Sequence, residues 1–335
     1  MKRVHLDKIP WYEWSSPGGK FHGAGKGVSE ELGAKPNATL AAGGHPFDLE
    51  LGKFSPGKSG CPFHAHSAQW ECYCILSGTG TMRHGDQRRE VRAGDVMMHP
   101  PGNAHQLINT GTTDLLYYLV ADNPLTEFWH YPDSDKWGFK PSGAIFRKQD
   151  VDYHLGEEDS PVAQQPPKPR PMPPAPAATF VNVADVAWEQ RRSPKGRYDS
   201  LFRNLSLAIG GIRGAGVQAG GHPFDLQIRR VMPGAAICPY HSHAAQWELF
   251  VFTSGRGVVR TPEGRHEVGP GDVVLHPPGA PHQTMAAADG ELECLIIADN
   301  PPVEICHYPD SNKWGINPGA QYFRTTAVDY YDGEE

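Results

Sequence analysis

The chain has 335 residues, which is enough for two domains of ordinary size. Its 31 basic and 38 acidic residues give a formal net charge of −7, and they form no basic stripe that would favour nucleic acid or an anionic membrane. No apolar stretch approaches the roughly 20 residues that span a bilayer, and the first residues contain no apolar signal-peptide core. We therefore expect a cytoplasmic protein that has no nucleic-acid or membrane partner.

The predicted elements are short strands separated by turns. Residues 29–32 predict one or two helical turns at most. Apolar, β-branched and aromatic runs bounded by glycine and proline predict strands at 72–76, 96–99, 115–120, 249–252, 273–276 and 292–298. Together with 38 glycines and 32 prolines, this pattern is typical of an all-β sandwich or barrel.

Cysteine usage favours buried free thiols over disulfides, because the chain is long and shows no secretion signal. The six cysteines are Cys61, Cys72, Cys74, Cys238, Cys294 and Cys306.

One shift of 177 positions relates the two halves of the chain. The segment GGHPFDL at 43–49 recurs at 220–226, and QWE at 69–71 recurs at 246–248. HPPG at 99–102 and HYPDS at 130–134 recur at 276–279 and 307–311, again without a gap. A repeat of this length is a duplicated domain and not a short solenoid unit.

The two copies are separated by a segment rich in proline, which predicts an extended, semi-rigid connector. We therefore assign residues 1–158 to the first domain, 159–178 to the connector and 179–335 to the second domain. A recognition site for a proline-binding partner is the alternative interpretation of the connector.

Three histidines and one glutamate in each copy have the residue types of a metal site. Side chains alternate along a strand, so His64 and His66 point the same way, as do Gln69, Glu71 and Tyr73 if the strand continues after a turn. Imidazole and carboxylate together suit Mn, Fe, Ni, Cu or Zn, and four protein ligands on a six-coordinate ion leave positions for substrate. The candidate metal ligands are His64, His66, Glu71, His105, His241, His243, Glu248 and His282.

These spacings resemble the cupin superfamily. In its first motif, paired histidines are followed by a glutamate and, after six intervening residues, a glycine. Glu71 and Gly78 follow His66 in this way, and the second copy matches through His243, Glu248 and Gly255. The second motif is matched by Gly94, Pro100, Gly102, His105 and Asn109, and by Gly271, Pro277, Gly279 and His282. Ala286 replaces the last asparagine, and Gly57 and Gly234 each lie one residue further upstream than usual.

The resemblance implies a bicupin, with two tandem double-stranded β-helix (jelly-roll) barrels that each hold one divalent first-row metal ion. Glu71 and Glu248 are then the candidate catalytic residues. Gln69 and Gln246 are expected to hydrogen-bond a ligand side chain or the substrate. Because neither copy has lost a ligand, we expect both sites to bind metal, with Asn109, Cys72 and Cys74 as the differences that let them bind unequal molecules.

Other repeated polar residues are weaker candidates. His45 and His222 follow a glycine pair, and alternation is expected to leave His99 and His276 near the barrel rim. Arg83 and its partner Arg260 are candidates for binding an anionic substrate, with a place on a surface hairpin as the alternative.

The leading hypothesis for function is a metal-dependent oxidoreductase, similar to dioxygenases, that acts on a small oxygen-rich organic molecule. Cupins also include isomerases, lyases and storage proteins, so the fold does not choose among these classes. The alternatives are a non-redox isomerase or lyase and a non-catalytic metal-containing binding protein. Association into a homo-oligomer is a further possibility.

Overall fold

The computed structural model describes residues 1–140, 142–157, 176–317 and 319–335. Most of the predicted connector, 159–178, lies outside the described residues. In the part of the chain that is described, no helix is both long and apolar enough to cross a membrane. The six cysteines are free thiols.

Short strands dominate the first half, and the one α-helix among its described residues, α1 (Val28–Glu31), is one turn long. The strands are β1 (Lys2–His5), β2 (Tyr12–Ser15), β3 (His22–Gly27), β4 (Phe47–Phe54), β5 (Ala65–His66), β6 (Glu71–Ser77), β7 (Thr79–His84), β8 (Gln87–Arg92), β9 (Asp95–His99), β10 (His105–Ile108), β11 (Leu115–Asp122), β12 (Glu127–Tyr131), β13 (Lys136–Lys140) and β14 (Ile145–Phe146).

The second half repeats this order, with α2 (Leu205–Ala208) as its helical turn. The strands are β15 (Thr179–Asn182), β16 (Glu189–Arg192), β17 (Asp199–Asn204), β18 (Phe224–Val231), β19 (Ser242–His243), β20 (Glu248–Gly255), β21 (Gly257–Thr261), β22 (Gly264–Val268), β23 (Asp272–His276), β24 (Gln283–Ala286), β25 (Leu292–Asp299), β26 (Glu304–Tyr308), β27 (Lys313–Asn317) and β28 (Gln321–Phe323). Single 3₁₀ turns lie at Leu6–Lys8, Leu40–Ala42, Val183–Asp185, Val217–Ala219 and Pro309–Ser311.

The strands form two jelly-roll barrels of the same plan, which confirms the predicted all-β fold. In barrel 1, a seven-stranded sheet has the order β15-β9-β6-β11-β4-β3-β2, and the smaller sheets are β10-β7-β8 and β14-β13-β12-β5. In barrel 2, the matching sheets are β1-β23-β20-β25-β18-β17-β16, β22-β21-β24 and β19-β26-β27-β28. All strand pairs within these sheets are antiparallel, which short turns can connect.

The two halves exchange one strand each. β1, from the start of the chain, pairs with β23 of barrel 2, and β15 pairs with β9 of barrel 1. An ion pair reinforces the first exchange, since the Arg3 guanidinium lies 2.8 Å from the carboxylate of Asp272. The predicted domains 1–158 and 179–335 divide the chain by sequence, but each barrel takes in a strand from the other half.

Strand alternation divides the apolar residues between three cores. On β6, Cys72 and Cys74 belong to a core shared by both barrels, whereas Tyr73 and Ile75 face the interior of barrel 1. Barrel 2 has its own interior core, which includes Phe250. The shared core buries apolar surface from both barrels. Each Å² of such surface removed from water stabilises the fold by about 25 cal/mol, so this core joins the barrels into one unit.

Aromatic contacts also cross between the barrels as a symmetric pair. The ring of His45 lies 5.0 Å from that of Trp247, and the ring of His222 lies 5.3 Å from that of Trp70. His45 and His222 are buried, and burial lowers the pKa of each imidazole. Both therefore act as neutral packing groups at the junction between the barrels.

Candidate metal centres

Three imidazoles and one carboxylate converge inside the first barrel. His64 precedes β5 and His66 ends it, while Glu71 begins β6 and His105 begins β10. Two backbone hydrogen bonds of 3.1 and 2.8 Å join His64 to His105, and these bonds bring the two sequence motifs together. The second barrel repeats the arrangement with His241, His243, Glu248 and His282.

Each of these histidines uses its Nδ1 atom to bind the protein. Nδ1 of His64 lies 2.9 Å from the carbonyl oxygen of Pro62, and Nδ1 of His105 makes the same contact with the carbonyl two residues before it. Nδ1 of His66 lies 3.2 Å from the carboxylate of Glu127. Because these oxygens only accept hydrogen bonds, Nδ1 carries the proton and Nε2 keeps a lone pair for a metal ion. In barrel 2 the acceptors belong to Pro239, Ala280 and Glu304.

Sequence reasoning did not identify Glu127 and its counterpart. The Glu127 carboxylate is buried and accepts the backbone N–H groups of Ser67, Ala68 and Gln69 at 2.9–3.1 Å, besides facing His66. It therefore fixes both the turn between β5 and β6 and the orientation of one ligand. Glu304 accepts the same three bonds in barrel 2, at 2.8–2.9 Å. The available signal was that both carboxylates recur at the 177-residue shift.

The donor atoms lie close enough to share one ion. In each group the four candidate donor atoms are within 4.8 Å of one another. Nε2 of His105 and Nε2 of His66 lie 2.6 and 3.6 Å from the Glu71 oxygens. Ligands about 2.1 Å from one ion and at right angles to each other are about 3 Å apart. Nε2 of His66 is also buried and has no hydrogen-bond partner among the described residues, so the residues present fit a divalent ion.

The electrostatics of both groups favour a cation. Burial alone would raise the pKa of Glu71, but His66 and His105 outweigh it and hold that pKa well below the usual range. Burial would likewise raise the pKa of Glu248, but His243 and His282 outweigh this effect and hold that pKa well below the usual range. Both carboxylates are therefore ionised at neutral pH, which is the form that binds a metal ion.

His99 and His276 lie deeper than expected, so the prediction that they sit near the rim is wrong. His99 is on the inward face of β9 together with Met97. Its ring centroid lies 4.2 Å from that of His105, and that of His276 lies 3.7 Å from that of His282. Burial and the adjacent ligand histidine hold the pKa of each well below the usual range. Each is thus a neutral ring packed behind a candidate ligand.

Gln69 and Gln246 bind the backbone. The Nε2 atom of each donates a hydrogen bond of 2.6 Å, to the carbonyl oxygen of Asp122 or of Asp299. These bonds hold the turn that precedes each candidate glutamate ligand. Gln69 also lines the cavity beside Glu71, so a role in binding substrate stays a prediction.

Arg83 and Arg260 do not present free guanidinium groups. Each makes two hydrogen bonds of 2.6–2.9 Å to one carboxylate, that of Asp133 or of Asp310. Both ion pairs are exposed, in agreement with the alternative of a surface hairpin arginine. The structure does not support the anion-binding role considered for them.

The differences expected to distinguish the two sites lie elsewhere in the fold. Cys72 and Cys74 face the core between the barrels, as do their counterparts Leu249 and Val251. The Asn109 side chain binds backbone carbonyl groups at 2.6 and 2.8 Å and so tethers a loop. The expectation that these positions tune the sites is therefore wrong, since alternation turns the β6 and β20 positions away from the barrel interior.

The cavities beside the two groups differ in size and charge. The cavity of barrel 1 is about 900 Å³, and besides Lys35 and Lys140 its lining includes Trp14, Glu50, Tyr73, Tyr117, Trp129 and Tyr131. The cavity of barrel 2 is about 490 Å³ and is lined by Arg191, Arg213, Arg229, Phe250, Tyr308 and Lys313. The first cavity is therefore rich in aromatic rings, and the second has more basic side chains than acidic ones, the acids being Asp225 and Glu248.

Comparison with known proteins matches both barrels to the same domain family. The family model of the cupin domain matches residues 51–121 and again residues 227–298. These ranges contain all eight candidate ligands. A curated relative, an oxalate-binding protein from Thermotoga maritima, is 37% identical over 68 residues, which are 20% of this chain and 55% of the relative. The chain thus spans about half the length of that relative.

Solved structures share the two-barrel architecture. Oxalate decarboxylase from Bacillus subtilis aligns with a TM-score of 0.51 and 14% identity, over 90% of this chain and 76% of the other. The vicilin from Solanum melongena aligns with a TM-score of 0.52 and 13% identity, over 92% of this chain and 86% of the other. At these identities the likeness shows the fold alone.

Proposed function

This chain belongs to the cupin superfamily as a bicupin, and from that premise we propose that it is a metal-dependent enzyme with one divalent first-row ion in each barrel. The ligands are His64, His66, Glu71 and His105 in barrel 1, and His241, His243, Glu248 and His282 in barrel 2.

The observation that carries this proposal is the orientation of the imidazoles. All six have Nδ1 against a carbonyl or carboxylate oxygen, so their Nε2 atoms converge with an ionised carboxylate. A histidine with only a structural role has no need for this shared tautomer. Protein groups that fix ligand orientation in this way are typical of functional metal sites.

The substrate we propose is a small oxygen-rich organic molecule, and the reaction is an oxidation. A redox-active ion would supply a Lewis acid and an electron-transfer centre in the barrel. The protein contributes ionised Glu71 and Glu248, which favour a cation. In barrel 1 the Tyr73 hydroxyl donates to the Glu71 carboxylate at 3.3 Å, and this bond orients the carboxylate.

A second candidate function is non-redox lyase chemistry on a carboxylic acid. The basic lining of the barrel 2 cavity favours it, because clustered guanidinium groups attract carboxylates. The printed names of the relatives, an oxalate-binding protein and an oxalate decarboxylase, agree with this candidate.

Oxygen uptake separates the two candidates. The full chain would be loaded separately with Fe²⁺, Mn²⁺, Ni²⁺, Cu²⁺ and Zn²⁺ and tested on enols, flavonols and small carboxylic acids with an oxygen electrode and product analysis. We expect substrate-dependent oxygen consumption with a redox-active metal and none with Zn²⁺. Turnover without oxygen uptake would support the lyase, and turnover by neither route would contradict both.

A further inference from the structure

Barrel 2 contains a buried arginine that has no counterpart in barrel 1. Inward positions on β18 are occupied by Gln227 and Arg229, where β4 of barrel 1 has Glu50 and Gly52. Each pair of positions is related by the same 177-residue shift. Both changes make the interior of barrel 2 more positive, one by removing an acid and one by adding a base.

The change from Gly52 to Arg229 is accompanied by a second change, on the neighbouring strand. Arg229 pairs with Cys294 on β25, and Gly52 pairs with Tyr117 on β11. A side chain at Gly52 would collide with the Tyr117 ring, since a Cβ atom there would lie 2.4 Å from its hydroxyl oxygen. The Tyr117 phenol of barrel 1 therefore occupies the space that the Arg229 guanidinium takes in barrel 2.

The guanidinium of Arg229 is poorly satisfied by the protein. The residue is 8% exposed, and its nitrogens donate to Ser200 Oγ at 3.0 Å and to Gln227 Oε1 at 2.6 Å. Among the described residues, its Nε atom has no hydrogen-bond partner, and neither of the two hydrogen bonds of the guanidinium goes to a carboxylate. A buried charge that no carboxylate contacts directly is costly, so a position like this indicates an anion that binds from the cavity.

Arg229 shares its cavity with the candidate ligands of barrel 2, including His241 and Glu248. The exposed Arg191 and Arg213 line the same cavity and add to its attraction for anions. In barrel 1, by contrast, Tyr12 donates a hydrogen bond to Glu50, and this acid faces the cavity beside Glu71.

We propose that the two metal sites bind different classes of molecule, and that Arg229 makes barrel 2 selective for small carboxylates. This inference rests on the proposed metal sites. A carboxylate that binds beside the ion in this cavity neutralises the charge of Arg229. Barrel 1, with Glu50 and a wall of phenol and indole rings, rejects that anion and accepts uncharged hydroxylated molecules.

The test is calorimetric titration of the Mn²⁺-loaded full chain with oxalate, together with the Arg229→Gln variant. We expect Arg229→Gln to weaken oxalate binding at least tenfold while two Mn²⁺ ions per chain are retained. The matched control is Arg230→Gln, because Arg230 is the next residue on β18 and pairs with Glu293 outside the cavity at 2.9 Å. Its oxalate affinity should stay within twofold of the parent.

Variants that empty one metal site assign the binding to a barrel. Oxalate binding should persist in His64→Ala, which removes the barrel 1 site, and disappear in His241→Ala. If Arg229→Gln does not fold, Arg229→Lys keeps the charge without the planar fork, and we expect an intermediate loss of affinity.

Three outcomes would overturn the inference alone. The first is an unchanged oxalate affinity in Arg229→Gln, or in Arg229→Lys if Arg229→Gln does not fold. The second is oxalate binding that is lost with the barrel 1 metal. The third is a parent chain that holds two Mn²⁺ ions yet binds none of oxalate, malonate, glycolate or pyruvate. A parent chain that retains no metal would overturn the proposed function as well, so metal content distinguishes the two failures.

Discussion

The Nδ1 atom of His66 lies 3.2 Å from Oε1 of Glu127, a buried carboxylate on a strand far along the chain. The same oxygen accepts the backbone N–H of Ser67 at 2.9 Å. One carboxylate therefore holds both the imidazole and the turn that carries it. Such groups commonly contribute about 10- to 100-fold to metal affinity.

We predict that Glu127→Gln weakens metal binding by barrel 1 about 10- to 100-fold, since the neutral amide no longer stabilises the His66 proton. Barrel 2 should be unaffected. Competition with a chelator, in a His241→Ala background that leaves only the barrel 1 site, would measure this. The exposed Glu13→Gln is the matched control, and equal affinity in the two variants would rule out a positioning role for Glu127.

His276 and His99 should respond differently to replacement by phenylalanine. Neither ring nitrogen of His276 has a hydrogen-bond partner among the described residues, whereas Nδ1 of His99 faces Oδ1 of buried Asn103 at 2.9 Å. His276→Phe should therefore be close to neutral, and His99→Phe should lower the free energy of unfolding by about 1–3 kcal/mol. Urea denaturation of the chelator-treated protein would compare them. A larger loss in His276→Phe would contradict the neutral packing role.

The exchanged N-terminal strand should stabilise barrel 2 and not the barrel that follows it in sequence. We predict that deletion of residues 1–5 leaves the edge of β23 unpaired and speeds amide hydrogen exchange at Asp272–His276. Exchange at the matching strand Asp95–His99, which pairs with β15, should not change. Faster exchange confined to barrel 1 would contradict the strand exchange.

Asp122 should make stability fall as pH rises toward neutrality. Burial raises the pKa of its carboxyl to about 7. The negative charge of Glu127 also raises this pKa, whereas the hydrogen bond from the Trp70 N–H lowers it. The unfolded chain releases this proton near pH 4, before the folded protein does, so stability is lost as pH rises from about 4 to about 7. Asp122→Asn should flatten this part of the stability profile measured by thermal unfolding. An identical pH slope in parent and variant would refute it.

Local patterns were sufficient to predict an all-β chain and the candidate ligands, and the two jelly-roll barrels followed from the resemblance that the motif spacings carry. His64 with His66, and Glu71 after them, belong to one continuous motif, and His105 belongs to a second. Strand alternation within such short runs needs no knowledge of distant contacts. Each motif also recurs in the second half at the 177-residue shift, so each prediction rests on two copies.

The residues that were missed act through tertiary contacts. Glu127 reaches His66 only because β12 pairs with β5, and Arg229 matters only because β18 turns it inward. The exchange of β1 and β15 joins strand edges in opposite halves, and no local pattern specifies such a pairing. Comparing the two copies position by position would have singled out Glu127 and the change from Gly52 to Arg229.

The most direct test of the account is the metal content of the full chain and of two variants, measured by mass spectrometry after extensive dialysis. We predict two first-row ions per chain in the parent and one ion each in His64→Ala and His241→Ala. The double variant should hold none. Metal content that stays at the parental value in both single variants, or a parent that binds no first-row ion when supplied with Fe²⁺, Mn²⁺, Ni²⁺, Cu²⁺ or Zn²⁺, would contradict the account.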